Sequence, residues 1–200
     1  MSRTESNAER FGEAYYARYY ESKETRVYGK ESIAHLARGV TEMIAWYGGT
    51  IHSVLDVGAG TGLWRDWFAA NKKNVHYLST EVSEHACKKY DHKLCDISVW
   101  RTRERFDLIV CQGVLPYLGD DAATRAIENM AAMSNGFLYL EAVTKHDLEE
   151  VCDRDFTDIS QRARTARWYR TRLDRFFTPL GCGLYYAKNG PLTFYELEKA

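Results

Sequence analysis

The chain has 200 residues, 45% of them hydrophobic and 28% charged, with a net charge of −1 at pH 7. That is the make-up of one globular domain with a substantial core, and the near-zero charge argues against a general nucleic-acid or membrane-surface binder. The polar opening Met1–Arg10 has no apolar export segment, no stretch reaches the roughly 18 apolar residues of a membrane span, and the five scattered cysteines form no C-x-x-C pair, so a soluble, cytoplasmic protein with free thiols and small-molecule partners is expected.

Residues 11–28 carry Phe11, Tyr15, Tyr16, Tyr19, Tyr20 and Tyr28, with two i,i+4 tyrosine pairs if the segment is helical. The rings either cover a pocket or staple a helix onto the core. From Glu31 to Tyr47 the apolar positions Ile33, Leu36, Val40, Met43, Ile44 and Tyr47 follow helical spacing, and Gly48-Gly49 supplies the stop. Residues 1–50 are therefore expected to form a helical cap, and 51–197 the core.

Val54-Leu-Asp-Val57 is a short apolar run that reads as a buried parallel strand, and it ends in the turn Gly58-Ala-Gly60-Thr-Gly62 before a helical pattern resumes at Leu63. Three glycines at alternate positions let the backbone bend sharply and lie against a ligand, with a helix N-terminus behind them. A dinucleotide fingerprint would space them G-x-G-x-x-G. With Asp56 two residues ahead of Gly58, the stretch instead resembles motif I of the class I S-adenosylmethionine (SAM) dependent methyltransferases. The resemblance implies a three-layer Rossmann-like α/β fold with a seven-stranded sheet of order 3-2-1-4-5-7-6, strand seven antiparallel, binding SAM along the carboxyl edge.

Val75–Val82 reads as the second strand, and Glu81 near its end can accept two hydrogen bonds from a ribose diol, with Val82 beside it. His85, Cys87, His92 and Cys95 match no common zinc spacing, so no metal is expected. Leu94-Cys-Asp96-Ile97 reads as the short third strand, where Asp96 resembles the family's acid for the adenine amino group. Arg105–Gly113 is a strong buried strand resembling the family's motif IV, which places Cys111 and Gln112 beside the cofactor's methionine end. No base accompanies Cys111 in sequence, so it is read as a core residue.

Asp120–Met133 reads as a helix, followed by a strand over Phe137–Val143. Glu141 in that strand is a substrate contact, a base, or an arginine's partner. Glu141 and His146 are the two candidate bases if the acceptor atom is oxygen; an amine acceptor needs none. Next, an arginine-rich helix is expected to start from an Asp158/Gln161 capping pair, with most arginines in solvent. Finally Gly183–Lys188 and Leu192–Leu197 flank Asn189-Gly190, which predicts a type I′ hairpin as strands six and seven. No residue in these motifs is indispensable to methyl transfer, so a cofactor-binding scaffold, or a transferase acting on protein or nucleic acid, are the alternatives to a small-molecule enzyme.

Overall fold

A computed structural model describes residues 10–198. After a short helix α1 (Glu13–Tyr16), which runs into a π-helical turn (Ala17–Glu21), the order is α2 (Lys30–Trp46), β1 (Ser53–Val57), α3 (Leu63–Asn71), β2 (His76–Glu81), α4 (Glu84–Tyr90), β3 (Lys93–Leu94) and β4 (Phe106–Gln112). A 3-10 turn (Leu115–Tyr117) leads to α5 (Asp120–Met133), β5 (Ser134–Glu141), α6 (Lys145–Glu150), α7 (Ala166–Leu173), β6 (Phe177–Gly181) and β7 (Leu184–Ala187). The sheet order is β3-β2-β1-β4-β5-β7-β6, with β7 antiparallel to both its neighbours, as the resemblance implies. Among the described residues no helix is long and apolar enough to cross a membrane.

Strand side chains alternate between faces, and the two cores of this sheet separate on that period. Leu55, Ile109, Cys111, Leu138 and Leu140 pack with α5 and α7 through Ile127, Met130, Tyr169 and Leu173. Val54, Leu108, Val110, Phe137 and Tyr139 pack on the other face with Ile33, Ala37, Val40 and Ile44 of α2 and Trp64 and Phe68 of α3. The α2 helix, read from sequence as part of a cap, thus covers one face of the sheet. Parallel pairing sets Val57 against Thr80 and Cys111, and Gln112 against Glu141, so the carboxyl ends of four strands share one edge.

The C-terminal hairpin differs from the expectation. Gly183–Lys188 supplies strand seven, and strand six is Phe177–Gly181, which lies ahead of the hairpin expected from sequence. The tight turn is Gly181-Cys182-Gly183, all three at positive φ, which outcompetes Asn189-Gly190 for the hairpin. Pro191 lacks the N–H a partner strand would need, and Phe194 instead packs edge-on against Tyr47 and Tyr186. The arginine-rich helix also starts later, at Ala166 with Thr165 as its cap, because the Thr165 hydroxyl accepts from Trp168 N–H. The third strand is shorter than expected, leaving Asp96 and Ile97 in the turn beyond it.

Candidate functional site

The site is built on the turn between β1 and α3. Gly58, Gly60 and Gly62 all have left-handed φ, of 69°, 59° and 78°. At Gly58 a Cβ would come within 2.3 Å of Val114 Cγ2, so close approach as well as backbone angle requires glycine. The turn is pinned by Gly58 N–H and Ala59 N–H donating to Thr80 O. Behind it, His92 is buried with Nδ1 2.9 Å from Ser79 Oγ and Nε2 3.1 Å from Gly60 O. Burial holds this imidazole below its ordinary pKa, so it braces the turn as a neutral ring, donating from Nε2 to the Gly60 carbonyl.

Glu81 is buried at the end of β2 with both oxygens engaged. Oε1 accepts from Val82 N–H at 2.7 Å and Ser83 N–H at 3.1 Å, and Oε2 accepts from Gly60 N–H at 3.1 Å. The Tyr16 phenol also hydrogen-bonds this carboxylate. Glu81, Val82, Asp96, Ile97, Gly58 and Gln112 line one cavity of about 680 Å³, together with Phe11, Tyr16 and Leu118. Asp96 accepts from Ser98 N–H at 2.8 Å through Oδ1.

A second cavity of about 1030 Å³ continues along the same edge, lined by Asp56, the glycine turn, Trp64, Tyr19, Tyr28 and Glu141. Tyr15, Tyr20, Gly58, Gln112, Gly113 and Tyr117 line both. Gly113 has nothing within 4 Å of where a Cβ would stand, so glycine there leaves room between the two spaces. Gln112 is fixed across this junction, accepting from Trp64 Nε1 at 2.8 Å and donating to Glu141 Oε2 at 3.2 Å. Glu141 also receives Tyr28 Oη at 2.5 Å and Tyr139 Oη at 3.2 Å. Burial first, then the Glu141 charge, holds both phenols above their usual range, so both stay protonated and donate.

Asp56 is buried, accepts Tyr77 Oη at 2.7 Å, and is pushed up to about 7 chiefly by burial, against the opposing Tyr77 hydrogen bond. Burial likewise pushes the Cys111 thiol up to about 12, which suits a core residue and not a nucleophile. Among the predicted site residues Gly62 and His146 line neither cavity, and His146 is exposed on α6. The four His and Cys side chains of residues 85–95 are not gathered; among the described residues no cluster could hold a metal.

Several contributors had no sequence signal. Tyr117, Trp64, Asp158 and Gln161 line the second cavity, the last two released from their expected capping role. Arg164 is buried, donating to Leu115 O at 2.9 Å, to Leu118 O, and to Asp120 Oδ1 at 2.9 Å, and so fixes the loop after β4. Four of the other five helix-region arginines, Arg162, Arg167, Arg170 and Arg175, are exposed, as expected.

A family model described as "Methyltransferase domain" matches residues 9–179. A SAM-dependent methyltransferase from Clostridium acetobutylicum superposes with a TM-score of 0.61 at 16% identity, covering 77% of this chain and 90% of that one. The N-methyltransferase NodS from Bradyrhizobium japonicum, solved with S-adenosyl-L-homocysteine (SAH), gives 0.55 at 19% identity, covering 76% and 87%. The plantazolicin methyltransferase BamL, solved with a desmethylPZN analog and SAH, gives 0.59 at 12%, covering 73% and 63%. No curated protein matches the chain. With the glycine turn, the sheet order and a family model spanning most of its length, the chain belongs to the class I SAM-dependent methyltransferases.

Proposed function

We propose that the protein is a cytoplasmic enzyme that binds SAM in the first cavity and transfers its methyl group to a nitrogen or oxygen of a small molecule in the second. The observation that carries the reading is the junction at Gly58, Gln112 and Gly113, where two cavities meet on the carboxyl edge of the sheet. The residues fit the cofactor. The carboxylate of Glu81 is held by three backbone N–H groups, and Oε2 keeps a lone pair for a ribose hydroxyl once Tyr16 yields its place. Asp96 keeps Oδ2 for an amino group, Val82 and Ile97 offer apolar faces to a purine, and Gly113 leaves space where the reacting centres would meet.

When bound, SAM supplies an already activated methyl group on a sulfonium. The protein's part is therefore alignment and exclusion of water. Trp64 and Gln112 fix the floor of the junction, Glu141 stands beside it as the one candidate base that faces the cavity, and the tyrosines of residues 15–28 cover it. The near-neutral net charge supports a small acceptor over a nucleic acid.

Calorimetric titration with SAM and SAH tests the cofactor half, with micromolar binding expected and no heat overturning it. Incubation with methyl-labelled SAM and a metabolite extract tests the rest. Label moving to a small molecule supports the reading, and label moving only to macromolecules overturns it.

A further inference from the structure

The second cavity sorts ligands by charge. Away from the glycine turn its lining carries two carboxylates, Glu141 and Asp158, and among the described residues no lysine, arginine or histidine. Ring faces of Tyr19, Tyr28, Trp64 and Tyr117 surround them, and aromatic faces attract cations. Three of the hydroxyls that line it are already engaged. Tyr28 gives its proton to Glu141, and the Tyr15 and Tyr117 hydroxyls pair with each other at 2.9 Å. Among its acceptors, Gln161 Oε1 is withdrawn from solvent and has no hydrogen-bond partner. A buried acceptor left unmatched costs free energy, which a ligand N–H would recover. The Tyr117 ring already carries one cation: the Arg10 guanidinium lies 4.9 Å from its centroid, tethered to Ser160.

We infer that the acceptor substrate is an organic amine, bound as its ammonium form between the tyrosine rings, Glu141, Asp158 and Gln161 Oε1. This rests on the proposed methyl transfer and narrows its acceptor. An anionic substrate would face Glu141 and Asp158 with no counter-charge in the lining. A hydroxyl substrate would need Glu141 as its base, and that carboxylate already accepts from Tyr28, Tyr139 and Gln112. An ammonium brings its own N–H donors, and before reaction it gives one proton to a neighbouring carboxylate, which exposes the nitrogen lone pair.

The test is calorimetry on the full chain saturated with SAH, using three probes of one shape: 2-phenylethylamine, 2-phenylethanol and 3-phenylpropionate. The amine is expected to bind at least tenfold tighter than the alcohol, with no measurable binding of the carboxylate. Asp158→Asn and Gln161→Leu are each expected to cut the amine's advantage severalfold, while the alcohol's affinity, the check on an intact cavity, stays put. Carboxylate binding equal to the amine's, no preference among the three, or no binding of any overturns the inference. SAH titrated alone separates the two readings: SAH binding without amine preference removes the inference and leaves the methyltransferase reading standing. Amine preference in a protein that ignores SAH overturns the methyltransferase reading and with it the amine's place as methyl acceptor.

Discussion

Tyr28 donates its phenolic proton to Glu141 at 2.5 Å, joining the N-terminal aromatic segment to the carboxyl end of β5 across 113 residues of sequence. Tyr28→Phe removes that tie and leaves Glu141 with Tyr139 and Gln112 as donors. Hydrogen bonds to charged groups contribute about 1.5–3 kcal/mol, and partial exposure of the pair puts the expected loss near the lower limit. The urea midpoint should fall modestly, and methyl transfer should fall further, about tenfold, because the lost tie no longer holds the aromatic segment over the junction. Equal losses in both would mean that the contact only holds the fold.

Glu81 presents a sharper case than a simple hydroxyl acceptor would. Because three backbone N–H groups point at its oxygens, Glu81→Gln turns an amide NH2 against at least one donor. Glu81→Ala is expected to weaken SAH binding by about 1.5–3 kcal/mol, and Glu81→Gln to come close to it instead of rescuing it. Calorimetry on both variants decides, and parent-like affinity in the glutamine variant would show that the carboxylate charge is not what the site uses.

Asp56 should make stability depend on pH. Its carboxyl titrates near 7 in the folded chain against an ordinary value of 3.8, so the folded state holds more protons between those limits. Stability therefore drops as pH rises through that interval, and the cost is complete above about pH 7. His92, held low by burial, works in the opposite sense below its ordinary 6.5, so the informative quantity is the difference between variant and parent. Asp56→Asn should melt no higher than the parent at pH 4. By pH 8 it should gain several degrees, at about 2–4 °C per kcal/mol for a chain this size. A gap that does not widen with pH would mean the carboxyl is charged throughout.

Arg164 is expected to be the least replaceable of the arginines. Arg164→Ala removes the guanidinium donor from the Leu115 and Leu118 carbonyls, leaving Leu115 O only the Leu118 N–H, and Arg164→Lys cannot span three acceptors with one ammonium. Because the Asp120 side chain is 65% exposed, the ion pair itself adds little, and most of an expected loss of about 3 kcal/mol comes from the carbonyl contacts. Arg167→Ala on the exposed face should be nearly neutral. Chemical denaturation of the two variants side by side checks the contrast.

The parts of the site legible in sequence were those whose chemistry is local. A left-handed backbone at Gly58, Gly60 and Gly62 can be read from residue type alone, and Glu81 and Asp96 follow once that turn sets the register. The i,i+4 tyrosine pairs were likewise legible, and Tyr16 stacks on Tyr20 at 5.0 Å. Nothing local distinguishes Arg164 from its exposed neighbours, since its partners lie 44–49 residues away. Asn189-Gly190 misled for the complementary reason: it is a genuine turn signal, but β7 had already found its partners in β5 and in β6 across the Gly181–Gly183 turn.

Tyr20 lies against the glycine turn, 3.2 Å from where a Cβ on Gly60 would stand, and it borders both cavities. A single ring over the meeting point makes the two ligands arrive in sequence. The cofactor must enter while the segment is lifted, and the acceptor then completes the stack as it closes. Initial-velocity patterns should accordingly show compulsory order, with SAH competitive against SAM and noncompetitive against the acceptor. Release of SAH, which needs the ring to lift again, should set the turnover rate, so kcat should fall with solvent viscosity and rise in Tyr20→Ala even as SAM binds less tightly.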